Sequence, residues 1–114
     1  MVKDLTRYRT LLKQLLQKYA DFANRSSPNA INTIAVFDEE HDHYFIHTIG
    51  WRDLERIWIT TLYLRLYEGK FYIEIDWTEE GIATELLAAG VPKEDIVLAF
   101  HHPSMRPYTE FAVA

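Results

Sequence analysis

The sequence predicts an α+β fold: an antiparallel sheet of four to five strands with a long N-terminal helix and a shorter C-terminal helix packed on one face. Three observations carry this prediction. Residues 4–24 place apolar side chains at helical spacing, residues 31–77 contain two successive hairpin patterns, and residues 78–90 show a helix with clear ends. A block of strands between two helices favours the α+β class over an alternating α/β arrangement.

Composition limits the class of protein. A chain of 114 residues, of which 48% are hydrophobic, can bury a core of its own, and we expect one domain over residues 1–114. The sequence has no cysteine, which excludes disulfides and thiol nucleophiles and fits a reducing compartment. No signal-peptide pattern occurs, and no apolar run approaches the ~18 residues of a membrane span. We therefore expect a cytoplasmic protein without membrane contact.

The first element is a helix over residues 4–24, with Asp4 as its N-cap. Its apolar residues alternate spacings of three and four, as in a heptad seam, and Leu11 and Leu16 broaden the stripe. The seam consists of Leu5, Tyr8, Leu12, Leu15, Tyr19 and Phe22. So short a seam makes a marginal coiled coil, so we expect packing on the chain's own sheet, with contact to another subunit as the alternative.

Two hairpins follow a linker at residues 24–29. The strands of the first flank the acidic loop at residues 38–42, and those of the second flank Glu68-Gly69. The expected strands are residues 31–37, 43–50, 56–67 and 70–77. A Tyr67–Lys70 pair would set Leu66 opposite Phe71, Leu64 opposite Ile73, Leu62 opposite Ile75 and Thr60 opposite Trp77. This register makes one face almost wholly apolar.

The opposite face of the second hairpin is also partly apolar. The same register places Arg65 beside Tyr72 and Tyr63 beside Glu74, and it puts Ile57 and Ile59 on this side as well. An apolar second face favours cover by a subunit, a partner or the C-terminal tail. We therefore predict a homodimer whose candidate interface includes Ile57, Ile59 and Tyr63.

The C-terminal helix has the clearest boundaries. Thr78 is the expected N-cap, Glu79 and Glu80 suit the first turn, and the apolar stripe is Ile82, Ala83, Leu86 and Leu87. Gly90 supplies a left-handed C′ position, Val91 reaches back to Leu86, and Pro92 ends the helix. Residues 93–95 favour a helical turn, and residues 96–100 fit either a fifth strand or more helix.

The tail from Arg106 to Ala114 carries large apolar side chains that are costly to leave in water. We expect it to dock, either within its own subunit or across an interface. Its candidate interface residues are Arg106, Tyr108 and Phe111.

Two stretches give the chain a family resemblance: DHYFIHTIGW at residues 42–51, and nearly everything from Trp77 through the terminal TEFAVA. Both resemble the XisI proteins, named as controlling factors for excision of the fdxN DNA element. The resemblance implies an accessory factor that acts beside an XisH-like companion and a separate recombinase. It supplies no set of catalytic residues.

Residues with possible chemistry form no recognisable catalytic, cofactor or metal site. Two histidine groups, His41, His43 and His47 and then His101 and His102, lack the spacing of a closed zinc site. Glu74 and Asp76 share a strand face in the predicted register, but two carboxylates alone do not make a magnesium site. No phosphate loop or nucleophile elbow occurs. The sequence predicts neither a cofactor nor catalysis.

The charge of the chain argues against DNA binding without a partner. The formal net charge is −5, whereas affinity for nucleic acid comes chiefly from Lys and Arg on phosphates. We expect the basic residues of the first helix to form a solvated face, with a weak nucleic-acid or acidic-partner contact as the alternative. These residues are Lys3, Arg7, Arg9, Lys13 and Lys18.

Three hypotheses about function follow. The first is a non-enzymatic controlling factor that binds an XisH-like companion in programmed excision of a DNA element. The second is an antitoxin-like partner that neutralises a nuclease-like companion. The third is a small metal-dependent hydrolase that uses the histidine hairpin.

Overall fold

A computed structural model describes residues 5–27 and 29–114, so the predicted N-cap Asp4 lies outside the described residues. In that part of the chain the helices are α1 (Leu5–Ser26) and α2 (Ile82–Ala88). The strands are β1 (Ile31–Asp38), β2 (His43–Arg52), β3 (Glu55–Tyr67), β4 (Lys70–Asp76) and β5 (Ile96–Leu98). A short 3-10 turn at Lys93–Asp95 precedes β5, and a 3-10 helix at Pro103–Tyr108 follows it. The predicted α+β class is confirmed.

The five strands form one sheet in the order β1-β2-β3-β4-β5. Neighbours among the first four are antiparallel, whereas β5 runs parallel to β4. A parallel neighbour needs a crossover, and α2 provides it between β4 and β5. Of the two possibilities left open for residues 96–100, the strand is therefore present, and it makes the sheet mixed.

The core lies between the helices and one face of the sheet. α1 buries Tyr8, Leu12, Leu16 and Ala20, each four residues apart, against the sheet. The predicted seam is wrong at Phe22, whose side chain is 67% exposed. Phe22 instead lines an open groove between α1 and α2, where most of its side chain is left uncovered. The remaining core side chains include Tyr44, Ile46, Leu62, Leu64, Phe71, Ile73, Ile82, Leu86 and Ile96.

The linker predicted at residues 24–29 begins too early, because α1 continues through Ser26. Asn24 is part of the helix, and its side-chain amide bonds both main-chain groups of Thr33. The Nδ2 group donates to the Thr33 carbonyl at 2.8 Å, and Oδ1 accepts from the Thr33 N–H at 2.9 Å. Asn24 thus covers the outer edge of β1 at this point.

The second hairpin follows the predicted register only near its turn. The pairs Tyr67–Lys70, Leu66–Phe71 and Leu64–Ile73 are confirmed, but Glu74 then has no partner on β3. This bulge sets Tyr63 opposite Ile75 and Leu62 opposite Asp76, so the predicted Leu62–Ile75, Thr60–Trp77 and Tyr63–Glu74 pairs are wrong. As a consequence Asp76 turns to the face that carries the helices.

Asp76 takes the capping role that the sequence had indicated for Thr78. Its Oδ2 accepts a 2.7 Å bond from the N–H of Ile82, the first residue of α2. Its Oδ1 accepts from the N–H of Thr78 at 2.9 Å and also from the Thr78 hydroxyl. The N-cap prediction for Thr78 is therefore wrong, and Glu79 and Glu80 precede the helix rather than open it.

The other end of α2 is as predicted. The N–H of Val91 donates to the Leu86 carbonyl at 3.0 Å, and the N–H of Gly90 donates to the Leu87 carbonyl at 3.0 Å. Gly90 has a φ of +91°, the left-handed conformation that a Schellman end requires. Val91 is buried beside Leu86 in the core.

Part of β3 forms an unpaired edge of the sheet. β4 pairs with β3 only from Leu62 to Tyr67, so among the described residues no strand pairs with the first half of β3 on the side away from β2. The outer edge of β5 is different, because Ala112 donates to the Ile96 carbonyl at 2.8 Å and forms a bridge beside Val97. Neither helix in the described part combines the length and hydropathy needed to cross a membrane.

Candidate interaction surface

The sheet face away from both helices carries many apolar and aromatic side chains, and we call it the open face. Along β2 it consists of every second residue from His43 to Trp51, because Tyr44 and Ile46 between them are buried under α1. The strand partners extend it on both sides. The open face includes Ile34, Val36, His43, Phe45, His47, Ile49, Trp51, Arg56, Trp58, Thr60, Tyr63, Arg65, Tyr72 and Ile75.

Rings and cations on the open face pack against one another across the strands. The Phe45 and Tyr63 rings stack with centroids 5.3 Å apart, and His47 meets Trp58 edge to face at 4.5 Å. Arg56 lies over both Trp51 and Trp58, at 5.3 and 5.4 Å from the ring centroids. These contacts orient large side chains without covering them, and Trp58 remains 65% exposed.

A bulge in β3 changes which residues belong to this face. Ile46 pairs with Leu62 and His47 pairs with Thr60, so Thr61 has no partner on β2. The extra residue reverses the alternation, and Ile57 and Ile59 fall on the helix side, opposite Gly50 and Thr48. The prediction that Ile57 and Ile59 share a face with Tyr63 is therefore wrong.

Alternation along β2 was the available signal for the open face. His43, Phe45, His47, Ile49 and Trp51 are the alternate residues of the stretch that carries the family resemblance. Sequence reasoning considered β3 instead and assumed an unbroken register. It consequently missed Phe45, Trp51, Arg56 and Trp58, although an apolar second face was correctly expected.

The histidines have neighbours in the protein and do not converge. His43 Nδ1 lies 2.8 Å from the Tyr63 hydroxyl, and His47 Nδ1 lies 3.0 Å from the Thr60 hydroxyl. His41 Nδ1 pairs with Asp38 in the loop at 2.9 Å, and His102 Nδ1 accepts from the Ser104 N–H at 3.1 Å. His101 packs its ring against Phe100 near the tail.

Carboxylates do not converge either. Glu74 pairs with Arg65 at 3.0 Å, whereas Asp76 caps α2 on the helix side, so the predicted shared face of these two carboxylates is wrong. Among residues 5–27 and 29–114, no three His, Asp or Glu side chains cluster as metal ligands would.

The acidic loop after β1 neutralises part of the basic side of α1. Arg9 donates two hydrogen bonds to Asp42, at 2.8 Å from Nε and 3.0 Å from Nη2, and Lys13 pairs with Glu39 at 2.9 Å. The Arg9 guanidinium holds the pKa of Asp42 below its usual value. Tyr44 donates to the same carboxylate at 2.9 Å, and burial followed by that bond raises the pKa of Tyr44. These pairs reduce the positive charge available for phosphate.

The tail residues have three different environments. Phe111 packs against the core beside β5, and Arg106 donates to the main-chain carbonyls of Ala99, His101 and Val113. Lys93 and Glu110 pair at 3.2 Å. Tyr108, by contrast, is 83% exposed. The tail therefore docks within its own subunit through Arg106 and Phe111, while Tyr108 faces outward.

A partly apolar groove lies between α1 and α2, apart from the open face. It holds about 240 Å³, and its lining combines apolar and charged side chains: Leu15, Lys18, Tyr19, Phe22, Arg25, Ile82 and Glu85.

The chain is similar to known proteins in both sequence and fold. The family model described as XisI protein matches residues 2–113. The crystal structure of a XisI-like protein from Anabaena variabilis ATCC 29413 has a TM-score of 0.90 and 34% identity, covering 97% of this chain and 100% of that one. The structure of fdxN element excision controlling factor XisI from the same organism has a TM-score of 0.83 and 42% identity, covering 96% of this chain and 98% of that one. Among curated protein sequences, none matches significantly. The length of the family match, together with identities above 30% over nearly the whole chain, shows that this chain belongs to the XisI family.

Proposed function

We propose that this protein is a non-enzymatic controlling factor in the programmed excision of a DNA element, and that it acts by binding an XisH-like companion protein. The observation that carries the proposal is the 42% identity to an fdxN element excision controlling factor over 96% of the chain. An identity of that size over nearly the whole chain supports a shared role in excision.

A non-enzymatic role agrees with the chemistry of the described residues. Strand transfer or hydrolysis of DNA needs a positioned nucleophile, or metal ions held by converging carboxylates. The carboxylates nearest in sequence serve other purposes, because Asp76 caps α2 and Glu74 neutralises Arg65. Tyr108 stands exposed with no catalytic group arranged around its hydroxyl in the described part of the chain.

The open face is the surface that we propose for the companion. It presents stacked rings and flanking apolar residues, and its exposed members include Ile34 and Trp51. Aromatic residues and arginine are enriched in the buried centres of protein interfaces. Direct binding to duplex DNA is disfavoured by the net charge of −5 and by the pairing of Arg9 and Lys13 with acidic residues.

An excision assay tests the role. Cells that contain the element, its recombinase and the companion should form the excision junction only when this protein is also produced, and junction formation can be measured by quantitative PCR. Purified protein with magnesium or manganese should leave DNA intact. Excision that proceeds equally without the protein, or cleavage by the pure protein that Asp76→Ala abolishes, would contradict the proposal.

A matched pair of variants tests the surface. Ile34→Glu places a charge on the open face, whereas Gln14→Glu places the same charge on the exposed side of α1. We expect Ile34→Glu to lose capture of the companion and excision, and Gln14→Glu to retain both, with similar melting temperatures. If the companion alone is toxic and this protein suppresses that toxicity without promoting excision, the antitoxin-like role replaces this proposal.

A further inference from the structure

The first half of β3 has an unpaired main-chain edge, and no role has been assigned to this edge so far. Residues 56–60 pair with β2 on one side, and within the described residues they pair with nothing on the other. The two outer edges of the sheet each have bonds to another part of the chain: Asn24 bonds the edge of β1 at Thr33, and the tail bonds the edge of β5 at Ile96. An uncovered strand edge is a template for another strand.

The direction of the main-chain groups shows which residues are available. Trp51 donates to Ala30 on the β1 side, so Gly50, its neighbour in β2, faces β3 and bonds toward Ile57. Ile57 and Ile59 therefore direct their main-chain groups to β2. Arg56, Trp58 and Thr60 direct theirs to the free edge.

We propose that a second copy of this chain pairs along this edge, antiparallel, with the twofold axis at Trp58. This register sets Trp58 opposite Trp58 of the other copy, Ile57 opposite Ile59, and Arg56 opposite Thr60. Each copy supplies the donors and acceptors that the other lacks, so the pairing is self-complementary. The sheet continues from one copy into the next, and the two open faces lie on the same side.

The dimer contact around this axis covers three of the five most exposed large apolar side chains in the described residues, namely Leu54, Trp58 and Trp77. Trp58 lies at the axis itself. Pairing stops at Thr61, whose carbonyl already accepts a 2.9 Å bond from the N–H of Trp77. The turn between β2 and β3, which carries Leu54, therefore ends against Trp77 of the other copy. Leu54 is 97% exposed and Trp77 75% exposed in the single chain.

Charge does not oppose this contact. Between residues 56 and 60 the one charged side chain is Arg56, and the two Arg56 side chains lie about 13 Å apart along the paired strands. That separation exceeds the screening length of roughly 8 Å at physiological ionic strength. Four isoleucines, Ile57 and Ile59 from each copy, meet on the helix side of the joined sheet.

Cysteine cross-linking tests the register, because the sequence contains no cysteine of its own. The wild-type protein should run at twice the chain mass of 13.5 kDa in light scattering at high micromolar concentration. Trp58→Cys should form a disulfide-linked dimer under mild oxidation, since directly opposed residues in a sheet lie within disulfide reach. Ile34→Cys, also exposed but far from the axis, should not cross-link.

A charge exchange at the same position gives an independent readout. Trp58→Lys and Trp58→Glu should each weaken self-association at least tenfold, because the twofold axis opposes like charges. An equal mixture of the two should restore the dimer, with monomer melting temperatures close to that of the wild type. A monomeric wild-type protein, a dimer that cross-links through Ile34→Cys rather than Trp58→Cys, or a mixture that stays monomeric would each overturn the proposal.

Discussion

Arg9 and Asp42 join the first turns of α1 to the loop between β1 and β2 through two hydrogen bonds, at 2.8 and 3.0 Å. The Asp42 side chain is only 14% exposed, and Tyr44 donates a third bond to it. The pair holds the start of α1 over the sheet. It depends on the negative charge of the Asp42 carboxylate, which is lost in acid.

Replacing Asp42 with asparagine should lower stability by about 1–3 kcal/mol near neutral pH, because the charge-assisted bonds from Arg9 are lost. Asparagine tolerates the left-handed conformation of this residue, whose φ is +59°, so backbone strain is not added. Chemical denaturation of both proteins at several pH values measures the difference.

The pKa of Asp42 is lowered in the folded state, chiefly by Arg9. Its contribution is therefore full above the unfolded value near 3.8 and is lost as pH falls through the lower folded value. The gap between the wild type and Asp42→Asn should be constant from pH 5 to 7 and close in acid below about pH 4. A gap that widens in acid would contradict this assignment.

Gly50→Ala should be among the most damaging single changes in the chain. A Cβ at Gly50 would lie 2.0 Å from the Ala30 carbonyl oxygen, and Gly50 has a φ of +148°. The start of β1 would have to move away from β2, so we expect a loss of more than about 3 kcal/mol or failure to fold.

Gly81→Ala is the comparison for this change. Its φ of +85° is also unfavourable for alanine, but its Cβ would meet only the Asp76 carboxylate at 3.6 Å. We expect a cost of about 1 kcal/mol from strain alone. Similar melting temperatures for the two variants would show that the close approach at Gly50 has been misjudged.

Asp76→Ala should destabilise the protein by about 1–2 kcal/mol, because the first N–H of α2 and the N–H of Thr78 lose their acceptor. Glu74→Ala is the control, since the Glu74–Arg65 pair is about one-third exposed and is worth about 0–1 kcal/mol. Thermal unfolding followed by circular dichroism compares the two. Equal losses would mean that the capping role of Asp76 has no energetic consequence.

Phe111→Ala and Tyr108→Ala test two separate roles of the tail, which are packing on the core and contact with the companion. Phe111 packs on the core, so its truncation should cost about 2–3 kcal/mol of unfolding free energy. Tyr108 is exposed, and its truncation should leave the melting temperature unchanged. Pull-down with the companion then reports whether Tyr108 contributes to binding, and a large stability loss at Tyr108 would contradict the structure.

The elements that the sequence predicts correctly depend on local chemistry. Gly90, Val91 and Pro92 specify the end of α2 within a few residues, and the Tyr67–Lys70 turn specifies the start of the second hairpin. Neither requires knowledge of distant parts of the chain.

The elements that were missed depend on the two bulges. Nothing in the residue types at Thr61 or Glu74 marks an extra residue, yet each bulge reverses the predicted alternation for the part of its strand that lies beyond it, counted from the Glu68-Gly69 turn. The first moves Ile57 and Ile59 to the helix side, and the second turns Asp76 toward α2. The candidate interface and the helix cap were therefore misassigned for one shared physical reason.

The parallel pairing of β5 has a consequence for the order of assembly. β1 to β4 join through short turns, so each pairing closes a small loop and costs little chain entropy. β5 can reach β4 only after α2 has crossed the sheet, and Ala112 can join β5 only after that. We expect the amides of Ile96 and Ala112 to exchange with solvent at lower opening free energy than those of Leu62 and Leu64, so that this side of the sheet forms last and opens first.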